Sequence, residues 1–185
     1  ASGFRVRSLA ESPMRTRKNS GPFRMSSVSS LPGPAEPEAI AIGCDHAGHD
    51  LKREILKLLR ELKVPYVDLG CASPDESVHY PLYGKKVVDA VLARPHARGI
   101  LICGTGLGMS ILANRFPGIR AALCHDIFSA VMSRRHNDAN LLVMGGRVIG
   151  GDLGKEIVRA WLSTPFDGGR HQERLDLLER LAQEA

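Results

Sequence analysis

A cysteine stands at the start of the most distinctive motif in the chain, Cys103-Gly-Thr-Gly-Leu-Gly108. Glycines allow tight turns and a close approach of the backbone to a ligand, and their amide groups favour an anion. Thiolates form most readily near helix N-termini or cations, so this cysteine is a candidate base. Two other interpretations stay open, because many nucleotide-binding loops contain such glycines and strand cysteines are commonly core residues.

A second cluster of ionisable side chains, Asp45 and His46, ends the first apolar run of the chain. A carboxylate beside an imidazole can move protons or contact a phosphate. With His49 the pair also forms a D-H-x-x-H pattern, which is compatible with a metal. We predict no metal here, because an isolated pair of histidines more often forms hydrogen bonds.

Two later clusters also combine polar and basic residues. His136-Asn-Asp138 directly follows two arginines and leads into a buried strand. A polar run at this position is unusual unless its side chains have a function. Arg170 and Arg174 are spaced i, i+4 at the predicted start of the last helix, so both guanidinium groups lie on one face. A solvated helix face would explain them. However, two cations oppose the helix dipole at this end, and an anionic ligand such as a phosphate would remove that conflict.

Alternating strands and helices must position these clusters. Short apolar runs predict strands, and apolar residues repeating every three or four positions predict amphipathic helices. The predicted strands cover residues 39–44, 65–69, 99–103, 119–124 and 141–144. The predicted helices cover residues 48–62, 80–91, 107–116, 127–135 and 153–162, with a last one beginning near residue 171.

This alternation predicts an α/β fold of three Rossmann-like layers: a five-stranded parallel sheet, helices on both faces and a C-terminal helix. In such sheets a ligand binds at the carboxyl ends of the strands, near a switch in strand order. The candidate site residues are therefore those that directly follow a strand: Asp45-His46, Gly104–Gly106, His125-Asp126 and Gly145–Arg147.

Composition narrows the function classes. The chain has 185 residues, and its content of 43% hydrophobic and 24% charged residues is ordinary for a globular domain. Residues 1–35 hold six of the 25 Lys and Arg and one of the 20 Asp and Glu, leaving 19 of each sign and no net charge in the rest. A basic segment on a neutral domain does not indicate nucleic-acid binding. No apolar run approaches ~18–20 residues, so we expect no membrane span. Four scattered cysteines without a CxxC pair predict free thiols rather than disulfides or a zinc site.

Residues 1–38 differ from the rest of the chain. They are rich in Ser, Arg, Pro and Gly and lack helical or strand periodicity, so we predict a disordered basic leader followed by one domain over 39–185. Two interpretations of the leader stay open, an organelle transit peptide and an upstream extension. The expected location is the cytoplasm, or a plastid or mitochondrion if the leader is a transit peptide.

Five motifs in order resemble ribose-5-phosphate isomerase type B. They are Gly43–His46, Cys103–Gly108, Asn114 with Ile119–Ala121, Arg135–Asp138 and Gly168–Arg174. The similarity runs from about Ala39 to about Leu181 without large gaps and leaves the leader outside. Retention of Cys103 places the chain with those members of the family that use a cysteine rather than a glutamate base.

The resemblance implies an aldose–ketose isomerase of the non-oxidative pentose phosphate pathway, which interconverts ribose 5-phosphate and ribulose 5-phosphate through an enediolate. It implies no cofactor and no metal. Cys103 would move the proton between C2 and C1, and Thr105 would help to move protons between the sugar oxygens. His136 with Asp45 would open the furanose ring. The implied substrate-binding residues are His46, Tyr83, Gly104, Gly106, Leu107, Gly108, Met109, Asn137, Arg147, Arg170 and Arg174.

The resemblance also implies a homodimer with shared active sites, and a tetramer stays open. Two alternative functions remain at this point. One is isomerisation of a hexose 6-phosphate, derived from galactose or allose, on the same fold. The other is a non-catalytic module that binds a sugar phosphate or a nucleotide.

Overall fold

Five strands and six helices alternate along residues 39–184, which are the residues that the computed structural model describes. The predicted disordered leader, residues 1–38, lies outside them. The strands are β1 Ile40–Cys44, β2 Tyr66–Asp68, β3 Gly99–Cys103, β4 Ala121–Leu123 and β5 Leu141–Gly145. The helices are α1 His49–Glu61, α2 Tyr80–Leu92, α3 Leu107–Ala113, α4 Ile127–Asn137, α5 Gly151–Ser163 and α6 Arg170–Gln183, and a 3-10 turn at His46–Gly48 precedes α1.

All five strands run parallel in a single sheet with the order β2-β1-β3-β5-β4. The three central strands are buried along their whole length, and the two edge strands have only three residues each. This arrangement confirms the predicted fold class. Chain order reverses between β1 and β3, so the loops that follow these two strands diverge and leave a crevice at the carboxyl edge.

Alternate residues of the central strands face opposite layers of helices. Ile42, Ile100 and Leu142 pack in one cluster with the buried leucines of α1 and with Trp161 of α5. Leu101 and Val143, one position along their strands, pack in a second cluster with α2 and α3. Burial on both faces requires continuous apolar runs in the strands, which is why these strands were recognisable in the sequence.

Two elements, α3 and β4, are each three residues shorter than predicted, because side chains bond the backbone at their ends. α3 stops at Ala113, since the Asn114 side chain bonds the backbone N–H and C=O of Ala121 and the Ser110 carbonyl. The strand predicted over 119–124 shrinks to β4, since the Arg120 amide donates to the Asn140 side chain.

The direction of α4 decides where the later motifs lie. Its N-cap Asp126 follows β4 at the carboxyl edge of the sheet. Its C-terminal end lies beside the start of β4, where Arg120 Nε donates to the carbonyls of Asn137 and Asp138. The last turn of α4 therefore lies at the amino edge of the sheet.

Candidate active site

The thiol of Cys103 lies at the carboxyl end of β3 and is almost fully buried. Its sulfur accepts a hydrogen bond from the Gly106 amide at 3.1 Å. Burial raises the pKa of Cys44 to about 12, and burial also raises the pKa of Cys124. Those two cysteines therefore remain protonated thiols at neutral pH. Among the four cysteines, which are all unpaired, Cys103 is the one whose sulfur is bonded by the glycine loop.

The glycine loop leaves backbone donors unused. The amides of Gly104, Gly108 and Met109 have no acceptor within residues 39–184. A buried or half-buried amide N–H without an acceptor is energetically unfavourable. An oxyanion would supply the missing acceptor for these amides. The loop can therefore stabilise negative charge beside the Cys103 sulfur.

Glycines allow close contacts at two positions in this loop. Gly106 has a φ of 79°, and a Cβ there would lie 2.4 Å from Leu123 Cδ1. A Cβ at Gly108 would lie 2.8 Å from the Tyr80 ring. The second contact places the Tyr80 ring beside the glycine loop, a proximity that the sequence analysis did not predict. The predicted pocket residue, Tyr83, is half-buried against both core clusters, with Lys86 Nζ 4.9 Å from its ring centre.

The loop after β1 lies beside the glycine loop. Asp45 is buried, and its Oδ1 accepts the Gly48 amide at 3.0 Å. His46 Nδ1 accepts the Val78 amide at 3.2 Å. In the neutral imidazole one nitrogen is a donor when the other accepts, so Nε2 of His46 carries the proton and can donate to an anion.

The loop after β5 completes this region. The amides of Gly146 and Arg147 donate to the carbonyls of Cys103 and Gly104, at 2.8 and 2.9 Å. Arg147 Cδ lies 3.7 Å from the point that a Cβ of Gly104 would occupy. Within the described part of the chain Arg147 forms no ion pair, so its charge is available to a ligand. Residues 45–48, 80, 103–109 and 145–147 are called the carboxyl-edge cleft below.

Of the other predicted strand-end residues, the pair after β4 has structural roles. His125 Nε2 accepts the Gly145 amide at 3.1 Å, and Asp126 caps α4 by accepting the Ser129 amide at 2.7 Å. Neither side chain is needed to explain the cleft.

The remaining predicted residues form a second group at the amino edge of the sheet. The rings of His136 and His171 stack in parallel, with centroids 4.2 Å apart and an interplanar angle of 5°. Asp167 lies beside them and holds the preceding loop to α4, because its amide donates to the Arg135 carbonyl while the Arg135 side chain bonds its carboxylate. The amino-edge cluster consists of His136, Asn137, Asp167, Arg170, His171 and Arg174.

Electrostatics make this cluster suited to an anion. The Arg135 guanidinium lowers the pKa of the Asp167 carboxyl. Burial, with the nearby charges of His136, Arg170 and Arg174, lowers the pKa of His171. Arg170 and Arg174 are exposed and have no carboxylate partner among residues 39–184. A phosphate would supply the missing negative charge.

The described chain does not bring the two regions together. α4 has 11 residues, which span about 16 Å, and it separates the carboxyl edge from His136. The structure therefore groups Cys103, Thr105, Asp45, His46 and Arg147 at one edge of the sheet, and His136, Asn137, Arg170 and Arg174 at the other.

One group of side chains in residues 39–184 has the residue types of a metal site. Ligand atoms of His136, Asp167 and His171 lie within 4.8 Å of one another. However, both carboxylate oxygens of Asp167 are bonded by Arg135, and two more arginines add positive charge nearby. This environment favours an anion over a cation. Within the same residues, no helix combines the length and apolarity needed to cross a membrane.

Comparison with known proteins agrees with the geometry. The sequence profile of the family described as ribose/galactose isomerase matches residues 40–178. Ribose-5-phosphate isomerase B of Escherichia coli (strain K12) is 49% identical over 144 residues, 78% of this chain and 96% of that protein. The D-erythrulose-4-phosphate isomerase of Pectobacterium atrosepticum is 44% identical over 131 residues, 71% of this chain and 86% of that protein. The solved structure of Clostridium thermocellum ribose-5-phosphate isomerase B is 48% identical, with a TM-score of 0.75, and covers 79% of this chain and 98% of its own.

Proposed function

The chain belongs to the ribose/galactose isomerase family, and we propose that it interconverts ribose 5-phosphate and ribulose 5-phosphate. The observation that carries this proposal is the Cys103 sulfur beside a glycine loop with unused amides. Aldose–ketose isomerisation needs a base next to a group that stabilises an enediolate oxygen. The cleft offers both groups, the Cys103 sulfur and the loop amides, within residues 103–109.

The proton transfer follows from this arrangement. The Cys103 thiolate takes the proton from C2 of the open-chain aldose, and the electrons of that bond form the C1–C2 double bond of an enediolate. The amides of Gly104, Gly108 and Met109 stabilise its oxygen. The thiol then returns the proton to C1, and Thr105 helps to transfer a proton between O2 and O1, which leaves the carbonyl at C2. The barrier falls because the amides bind the enediolate more strongly than the neutral sugar.

Ring opening precedes this step when the substrate is the aldose. The anomeric hydroxyl loses its proton, the C1–O4 bond breaks, and O4 gains a proton. Asp45 and His136 carry these two proton transfers in the proposal. Asn137 holds a sugar hydroxyl. Arg147 and His46 contact the phosphate from the cleft, and Arg170 and Arg174 contact it from the cluster.

Because the proposed roles fall to residues of both the cleft and the amino-edge cluster, the proposed site requires two subunits. Because about 16 Å of helix separates His136 from the carboxyl edge, the cluster of one subunit completes the cleft of another. Exposed apolar side chains favour such an assembly: Leu107 and Ile111 beside the cleft, and Leu178 and Leu181 on the helix that carries the arginines. A two-fold dimer would pair each cleft with the partner's cluster and form two equivalent sites.

The main alternative substrate is a hexose 6-phosphate of the galactose or allose series. Ribose 5-phosphate is favoured because Cys103, His136 and both late arginines are all present. A relative named for a four-carbon sugar phosphate makes tetrose phosphates a useful third class to assay.

The decisive experiment is a direct assay of ribose 5-phosphate with purified protein, run with and without a chelator, beside galactose 6-phosphate, allose 6-phosphate and erythrose 4-phosphate. We expect ribose 5-phosphate to give the highest kcat/KM, and the chelator to have no effect. A higher kcat/KM for a hexose phosphate would reassign the substrate. Absence of turnover on every sugar phosphate, with binding retained, would instead support a non-catalytic module.

A further inference from the structure

The stacked imidazole of His171 is not used by the reaction described above. It is 7% exposed, whereas its stacking partner His136 is only half-buried. Within residues 39–184 the His171 side chain makes no hydrogen bond, so the parallel contact with the His136 ring is its specific interaction. The reaction gives this ring no role, so its parallel placement against the His136 ring needs an explanation.

We propose that His171 is a positioning residue, whose ring fixes the plane of the His136 ring for opening of the furanose. The inference rests on the proposed function, because it assigns a partner to the histidine of that mechanism. His136 lies in the last turn of α4, two residues before Asp138, whose backbone is left-handed. A side chain at such a helix end has few neighbours of its own helix, and the stack supplies the missing constraint.

The elements around the stack are themselves held in place. Asp167 and Arg135 bond in both directions, backbone amide to carbonyl and guanidinium to carboxylate, which fixes the loop before α6 on α4. His171 and the two phosphate-binding arginines share the first two turns of α6. The ring-opening histidine and the phosphate contacts are thus joined in one rigid unit, and their relative placement is set before substrate binds.

The charges around the stack explain why His171 can act as the stacking partner of His136. Burial is the main cause of the lowered pKa of His171, the charges of His136 on α4 and of Arg170 and Arg174 on α6 add to it, and Asp167 in the connecting loop opposes them. The lowered pKa of His171 favours the neutral form of its ring. A neutral neighbour does not oppose the protonated state of His136, as a second cation would.

The test uses the chemistry of the two substrates. Ribose 5-phosphate is mainly a furanose and must be opened. Ribulose 5-phosphate is acyclic, because the oxygen that would close a five-membered ring carries the phosphate. A ring-opening defect should therefore lower turnover of the aldose and spare consumption of the ketose. Both initial rates are measured for the wild type, His171→Ala, His171→Phe, His136→Ala and Leu175→Ala.

A misplacement of about 1 Å can cost 10²-fold in rate. We therefore expect His171→Ala to lower kcat for ribose 5-phosphate by about 10- to 100-fold, and kcat for ribulose 5-phosphate by less than about threefold. His171→Phe, which keeps a stacking ring of similar size, should restore most of the aldose rate. Leu175→Ala removes another buried side chain of α6 and should lower thermal stability with an equal effect on both substrates.

Each outcome separates the inference from the proposed function. Equal losses on both substrates in His171→Ala, or no gain in His171→Phe over His171→Ala, would overturn the positioning role. An unselective loss already in His136→Ala would show that His136 does not open the ring, which defeats the inference and that part of the mechanism together. Failure of the wild type to isomerise ribose 5-phosphate would instead overturn the proposed function itself.

Discussion

The carboxyl-edge cleft and the amino-edge cluster are built from different materials. The cleft is formed mainly by backbone groups. The Gly106 amide bonds the Cys103 thiol, other amides lack acceptors, and a Cβ at Gly106 or Gly108 would clash with neighbouring side chains. The cluster is defined by exposed side chains on two helix ends, with long arginines and a stacked pair of rings. Backbone amides suit the fixed geometry of a developing oxyanion, whereas exposed guanidinium groups suit a phosphate that must enter and leave.

The largest expected effect tests the cleft. Cys103→Ala removes the proposed carbon-acid base, and loss of a general base costs about 10²–10⁴-fold in rate. We expect kcat to fall by this factor while KM changes little, because the cluster still binds the phosphate. Steady-state kinetics measure both values.

Cys124→Ala is the matched control for this substitution. Cys124 is also a buried strand-end cysteine, but it lies in the other core cluster, and its thiol donates to the Ala122 carbonyl. It should lower thermal stability and leave kcat near the wild-type value. Near-normal turnover of Cys103→Ala would refute the base assignment.

The next effect tests the cluster. A charge-assisted hydrogen bond is worth roughly 1.5–3 kcal/mol, so Arg174→Ala should raise KM by about 10- to 10²-fold. Competitive inhibition by inorganic phosphate should weaken in parallel. Arg180→Ala, an exposed arginine two turns further along α6, is the control and should change neither constant. An unchanged KM for Arg174→Ala would remove this residue from the phosphate site.

A mixing experiment tests whether the two regions come from different subunits. Cys103→Ala and Arg174→Ala proteins should each be poorly active, but a mixed dimer contains one intact site and one doubly defective site. Random exchange makes about half the dimers mixed, so roughly a quarter of wild-type activity should return. The two variants are unfolded and refolded together, and native mass spectrometry identifies the mixed dimers. Mixed dimers that stay inactive would place the whole site within one chain.

The contrast between the regions also explains what the sequence could and could not predict. The sheet was predictable, because β1, β3 and β5 are buried on both faces and must be continuously apolar. The cleft residues followed, because a parallel sheet brings the loops after adjacent strands together. The family resemblance assigned roles to the other site residues, and those roles stay predictions. The match of the family profile to residues 40–178 confirms the family itself.

Pairings between distant side chains were not predictable. Tyr80 lies on an apolar stripe, and only the packing of α2 against α3 places its ring over Gly108. The stack of His136 on His171 depends on the path of residues 164–169, where no periodic pattern restrains the backbone. The separation of His136 from Asp45 follows from the direction of α4, which is known once strand order is known.

The smallest effect concerns the pH dependence of stability in the cluster. His171 has a lowered pKa in the folded chain, and an unfolded histidine titrates near 6.5. As the pH falls through about 6.5, the unfolded state gains a proton that folded His171 does not, so the free energy of unfolding decreases. This loss ends below the folded pKa, where both states are protonated. The lowered pKa of Asp167 acts in the same direction, but only near and below its usual range of about 4.

His171→Phe removes this titration and keeps the ring. Urea unfolding between pH 7.5 and 5 should therefore show a shallower loss of stability for His171→Phe than for the wild type, whatever the difference in stability at pH 7.5. His79→Asn, which changes an exposed histidine before α2, should keep the wild-type slope. Equal slopes for the wild type and His171→Phe would mean that His171 titrates alike in both states. The burial and positive charge of the amino-edge cluster would then not act on its ring, whereas the backbone geometry of the cleft would be unaffected by that result.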